Sequence, residues 1–274
     1  MASPAQFEDR TAGLALRLEG VGKSFTTDAG RTVTALENVD LAVRRGEFVT
    51  VVGPTGCGKT TLLNIIAGLD PPDRGTVRLA REISRGRNLA YVFQHYTLFP
   101  WRTVLANVAF AQEMDGKPRA ARRCLARSLV ARVGLAGFEN SYPHELSGGM
   151  RQRVAIAQAL AMEPRLFLMD EPFGALDEAT RAGLQKMLTD LQRDTGVTVV
   201  FVTHNIDEAI ILGDRVVAFS GRPGSAAGEF TVDLARPRNP EAPGFVDLML
   251  EIRYLLGKEF GSLSENGGIP HEEP

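Results

Sequence analysis

The stretch Gly53-Pro54-Thr55-Gly56-Cys57-Gly58-Lys59-Thr60 restricts this chain more than any other. Before it, Glu47-Phe48-Val49-Thr50-Val51-Val52 is apolar and β-branched and reads as a buried strand. After it, Thr60 to Leu69 reads as a helix with Leu62, Leu63, Ile65 and Ile66 to bury. A strand, a glycine-rich turn and a helix start together make an anion site. Glycines let the backbone curl so that successive N–H groups point inward, and the helix adds unpaired N–H groups and the positive end of its dipole. The match to G-x-x-x-x-G-K-(S/T) is complete. In such a loop Lys59 reaches β- and γ-phosphates and the Thr60 hydroxyl ligates Mg²⁺.

A second stretch supplies the other half of this chemistry. Leu166-Phe167-Leu168-Met169-Asp170-Glu171 is an apolar strand that ends in two acids. P-loop NTPases deliver the Mg²⁺ partner in this way, so Asp170 fits that role and Glu171 is the candidate to polarise an attacking water. A third stretch, Leu146-Ser147-Gly148-Gly149-Met150-Arg151-Gln152-Arg153, opens a helix with a serine and two glycines. It is a second anion-binding surface, for the same dipole and N–H reasons. Two such surfaces far apart in one chain suggest that two chains meet across the nucleotide.

Between these points strands and helices alternate, which implies an α/β sheet with helices on its faces. Residues 1–12 are polar and expected to be flexible, and 13–220 form the main domain. Leu14, Leu16 and Leu18 alternate with polar or small neighbours, as in a strand with one buried face. From about 95 to 164 the character is helical, with Val104, Val108, Phe110 and Ala111 on one side. Residues 221–261 form a C-terminal extension. In it Phe245, Leu248, Ile252 and Leu255 recur at helical spacing, as an amphipathic helix that docks on its own domain or on a neighbouring surface. Residues 262–274 are expected to be disordered.

Composition narrows the class. A net charge of -2 leaves no broad basic surface, so nucleic acid is not an expected partner. Arg122, Arg123, Arg127 and Arg132 lie in an alanine-rich helix without interleaved aromatics and read as a solvated face. The only cysteines are Cys57 and Cys124, and both read as reduced thiols in a cytoplasmic protein. Neither a secretory signal nor an apolar run long enough to span a bilayer is visible.

The Ser147 stretch resembles the signature motif of ABC transporter ATPases, and the resemblance extends over nearly all of residues 14–220. It implies a P-loop NTPase of ABC type: a mainly parallel core sheet, an antiparallel β subdomain and a helical subdomain at about 95–164. Phe25 sits where that family stacks an aromatic on adenine. Gln94, in Val92-Phe93-Gln94-His95, resembles the glutamine that senses γ-phosphate and Mg²⁺. Asp177, in Gly174-Ala175-Leu176-Asp177, resembles the D-loop, and His204, in Val202-Thr203-His204-Asn205, the switch histidine. Met150 departs from the commoner glutamine at the end of the signature, while Ser147 and Gly149 are intact. The resemblance implies a head-to-tail dimer around two ATP, each held between Gly53–Thr61 of one chain and Ser147, Gly148 and Gly149 of the other.

The same resemblance implies partners. Separate integral-membrane permease subunits would dock beside His95-Tyr96-Thr97-Leu98-Phe99-Pro100-Trp101, with Phe99 and Trp101 lining or buttressing the contact. Leu98-Phe99-Pro100-Trp101, the Leu-Ser-Gly-Gly-Met signature and the tail Arg236-Pro237-Arg238 are similar to ATPase subunits of the nitrate, sulfonate and taurine import family. Its members serve small, mostly anionic solutes brought by an extracytoplasmic binding protein, and lie on the cytoplasmic face of the membrane. DNA-repair members of the superfamily carry a long heptad insertion and translation factors two such domains, and neither is present here. An ATP-binding regulatory subunit without turnover is the remaining alternative.

Overall fold

The structure is a computed structural model that describes residues 13–265, except 29, 175 and 220, with side chains as far as residue 257. The continuous apolar runs form parallel strands because both faces of their sheet are covered. β1 (Leu14–Thr26), β2 (Thr32–Arg44) and β4 (Arg74–Leu79) make an antiparallel sheet in the order β2-β1-β4. The larger sheet has the order β5-β6-β7-β3-β8-β9, from β3 (Phe48–Val52), β5 (Leu89–Val92), β6 (Leu166–Asp170), β7 (Thr198–Thr203), β8 (Arg215–Phe219) and β9 (Ala226–Thr231). All neighbours in it are parallel except β9, which runs antiparallel to β8.

Alternate side chains of each central strand enter different cores. Leu166, Leu168, Val200 and Val202 meet α1 (Lys59–Ala67) and the antiparallel sheet. Phe167, Met169, Val199 and Phe201 meet α6 (Glu178–Thr195) and the helical subdomain. That subdomain comprises α2 (Val104–Val108), α3 (Phe110–Met114), α4 (Arg119–Arg132) and α5 (Gly148–Leu160). The apolar side expected around Val104 to Ala111 belongs to two short helices that meet at Ala109.

α7 (Ile206–Leu212) and α8 (Pro243–Glu265) cover the β3-β8-β9 half of the sheet, on the same face as α6. Phe245 and Ile252 of α8 are buried against Ala209 and Ile210 of α7 and Val216 of β8, so this face of the helix docks on its own domain. α8 also continues through Glu265, into the segment expected to be disordered from 262, while 266–274 lie outside the described residues, as do 1–12. Arg236 and Arg238 precede α8 and cap α7. Arg238 donates to the carbonyls of Ile210, Ile211 and Gly213, and Arg236 to that of Leu212. Burial and the neighbouring Arg236 lower the Arg238 guanidinium to about 10.

Candidate functional site

Parallel strands bring their carboxyl ends to one edge of the sheet, where open α/β folds bind ligands. Val52 pairs with Thr203, Asp170 with Val202, and Val92 with Met169. Three loops therefore meet at that edge: residues 53–58 after β3, Glu171 after β6 and His204 after β7. Gln94 follows β5 to the same edge and is exposed.

The loop after β3 has the backbone that its glycines anticipate. Gly56 and Gly58 have φ of 80° and 93°, and Gly58 caps α1. A Cβ on Gly58 would lie 2.6 Å from the Ala35 carbonyl of β2, so the antiparallel sheet itself requires glycine there. Gly53 and Cys57 are buried and Pro54, Gly58 and Thr61 are half-buried, whereas Thr55, Gly56 and Thr60 face outward. Burial raises the Cys57 thiol, with Lys59 opposing it, and the side chain is free of any disulfide.

Lys59 is buried, with Nζ 2.7 Å from the carbonyls of both Gly53 and Pro54. Its ammonium also lies 3.8 Å from Glu171 Oε1. Glu171 Oε2 in turn lies 2.9 Å from His204 Nδ1. The carboxylate is thus clasped between a lysine at the start of α1 and a histidine just after β7. Glu171 has a φ of 45°, in the left-handed region, and its N–H donates to Val202. A non-glycine residue in that region costs on the order of 1 kcal/mol. The β6–β7 pairing that holds the N–H offsets it.

Asp170 is buried, and its Oδ1 has no hydrogen-bond partner among the described residues. Burial pushes its carboxyl above the ordinary carboxylate value, while a hydrogen bond from Thr60 pulls it down and Glu171 pushes it up. An unpartnered carboxylate oxygen beside a hydroxyl is the hard-oxygen donor set that Mg²⁺ accepts, with phosphate and water oxygens completing its shell. The residues fit the ion.

Other expected site residues lie apart from this cluster. Phe25, at the end of β1, is 42% exposed, with Lys23 Nζ 5.4 Å from its ring centre. Asp177 caps α6 by accepting from the Thr180 N–H at 3.0 Å, which holds its carboxyl below the usual range. Ser147 caps α5 by accepting from the Met150 N–H at 3.2 Å, and it is exposed, with Gly148 and Gly149 half-exposed beside it. No hydrogen bond or ion pair among the described residues joins this helix tip to the phosphate loop.

Several groups around the site have no short motif to announce them. Arg222 Nε donates to the Gly56 carbonyl at 2.9 Å. Asn107, fully buried, accepts from the Phe99 N–H and donates to the carbonyls of Phe99, Arg102 and Thr103, which fixes the aromatic segment. Phe99 packs 4.6 Å from Phe110, while Trp101 is 73% exposed. A polar residue inside the apolar run Val104 to Val108 is the one sequence signal that could have found Asn107.

The fold and the cluster define a nucleotide-binding α/β cassette with one phosphate loop per chain. The sequence profile described as ABC transporter matches residues 36–174, and the chain belongs to that family. An uncharacterized ABC transporter ATP-binding protein of Methanocaldococcus jannaschii is 48% identical over 89% of this chain and 92% of that one. A nitrate import ATP-binding protein of Synechococcus elongatus is 44% identical over 89% of this chain but only 38% of its own length. An aliphatic sulfonates import ATP-binding protein of Bacillus cereus is 42% identical over 93% of this chain and 98% of that one. Among solved structures, a dimeric ATP-binding cassette in a post-hydrolysis state with ADP and Pi aligns with a TM-score of 0.73. It is 34% identical, with 80% of this chain and all of that one covered. The chain is accordingly an ABC ATP-binding subunit of the importer type, an ATPase coupled to solute transport across a membrane. Among the described residues no helix is long and apolar enough to cross a membrane.

Proposed function

We propose that two copies of this chain, or this chain and a close homologue, close head to tail around two ATP and drive a separate permease. The observation that carries this reading is the division of the site. The phosphate loop, Asp170, Glu171 and His204 form one connected cluster, while Ser147, Gly148 and Gly149 form a helix tip that no hydrogen bond or ion pair among the described residues joins to that cluster. That a similar cassette with ADP and Pi is dimeric supports pairing of two copies.

Each residue then has a role. The N–H groups of 53–61 cradle the phosphates, and Lys59 exchanges its two carbonyl partners for β- and γ-phosphate oxygens. Mg²⁺, held by Thr60, Asp170 and Gln94, neutralises phosphate charge when bound. Glu171 orients the attacking water, and His204 moves from Glu171 toward the γ-phosphate. Phe25 stacks on adenine. Ser147 and Gly149 of the second copy complete the γ-phosphate shell, and Asp177 lies at the junction between copies. Positioning and charge neutralisation supply the catalysis, so closure of the dimer is the switch.

The permease docks at the cytoplasmic face of the membrane beside the aromatic segment. Phe99 buttresses that contact from its packing on Phe110, and Trp101 is available to touch the partner directly. The solute is a small anion, since the relatives are named for nitrate and aliphatic sulfonates, and an extracytoplasmic binding protein delivers it. Reconstitution with permease and binding protein tests this. Nitrate or an alkanesulfonate should raise ATP turnover only when its binding protein is loaded. Stimulation by a cationic or neutral solute alone would contradict the anion reading.

A further inference from the structure

Glu208 is a buried acid that the phosphate chemistry does not use. It sits in the first turn of α7 and joins three elements. Its Oε2 accepts from the Thr203 hydroxyl at 2.7 Å, and Thr203 is the last residue of β7, directly before His204. The Thr203 oxygen also accepts from the Asn205 N–H at 3.0 Å, so the backbone on both sides of His204 is tied to this carboxylate. Its Oε1 lies 3.3 Å from Arg181 Nε of α6. Arg181 donates through its other nitrogens to the Leu176 carbonyl at 2.9 Å and to Glu178 at 3.2 Å, on either side of Asp177.

One detail of this network is unfinished. Arg181 Nε is buried and has no aligned hydrogen bond, although Glu208 is within ion-pair distance. A buried charge pair is stabilising only when its geometry is good. A small shift of the 176–178 segment relative to α7 would align the two groups.

We propose that Arg181 and Glu208 are a positioning pair that links the Asp177 loop to His204, so that contact of a second copy with that loop sets the histidine against Glu171 and the phosphate. This inference rests on the composite-site reading above. Neither residue touches substrate. Their influence runs through Thr203 and the Leu176 carbonyl, and misplacement at that distance from the chemistry lowers turnover rather than ATP affinity.

Steady-state ATP turnover of the full chain tests the pair, with Arg181→Ala, Glu208→Gln and the double variant. Each single change should lower kcat about tenfold and leave the KM for ATP within about twofold, with weaker cooperativity in ATP. The double variant should be no slower than the slower single one, because the two residues act as a unit. Arg181→Lys, which keeps the charge, should recover part of the rate. Glu208→Gln keeps the shape of the buried side chain, and its melting temperature guards against a folding defect. Unchanged kcat in both single variants, multiplying losses in the double variant, or a loss of kcat that follows a loss of folded protein would overturn the proposal. Trapping of a dimer by ATP in Glu171→Gln reports on the composite site independently. A trapped dimer with an unaffected Arg181→Ala would reject the pair alone, whereas absence of trapping would reject the reading beneath it.

Discussion

The phosphate loop and the Ser147 helix tip are built from the same materials, glycines and a helix N-terminus, yet they differ in how complete they are. Around the loop, Lys59 is buried, its ammonium has two carbonyls and Glu171 as partners, and Gly56 and Gly58 are pressed on by Arg222 and β2. At the tip, Ser147 is exposed, and among the described residues its hydrogen bonds stay within its own helix: the hydroxyl accepts from the Met150 N–H and the carbonyl from the Arg151 N–H. On the proposed reading, one anion site is assembled by the fold of a single chain, and the other is completed by a second copy. The difference teaches that ATP affinity should belong to the loop and closure to the tip.

Substitutions that strike one half at a time separate these properties. Lys59→Ala should abolish turnover and weaken ATP binding by the isolated chain, because the loss of a buried charged contact to phosphate costs several kcal/mol. Hydrolysis at the wild-type rate would remove the loop from the site. Glu171→Gln should cut turnover by about two orders of magnitude or more while ATP and Mg²⁺ trap a dimer visible by light scattering. A species that stays monomeric would break the division proposed here. Ser147→Arg should leave nucleotide binding by a single copy within about twofold and prevent the dimer, since it crowds the tip without touching the loop. Equal loss of both properties would merge the two halves. Phe25→Ala should weaken nucleotide binding by about 1–2 kcal/mol through lost stacking, measured by titration with a fluorescent ATP analogue. An unchanged dissociation constant would return Phe25 to the surface of β1.

Much of this was legible in the chain, for a physical reason. The phosphate loop, the Asp170-Glu171 pair and His204 each follow an apolar strand within a few residues, so local sequence fixes their backbone and a parallel sheet gathers them at one edge. The helical subdomain was legible as a region but not in its divisions, because no glycine or proline marks the break at Ala109 between α2 and α3. Arg181, Glu208 and Arg222 were invisible, since their partners lie across the fold and no spacing encodes them. From sequence, Arg236-Pro237-Arg238 carries a family resemblance and the stiffness of its prolines. Its physical use, capping the last carbonyls of α7, required the structure. The surface that receives α8 is likewise not encoded by the helical spacing of Phe245 and Ile252, because α7 lies elsewhere in the sequence.

A mixture of two inactive variants tests the shared site most directly. Lys59→Ala and Ser147→Arg chains, each without turnover alone, should regain it when combined. Head-to-tail pairing places an intact loop opposite an intact tip at one of the two sites in a mixed dimer. Turnover in the mixture equal to the sum of the separate chains would contradict a pocket made by two copies.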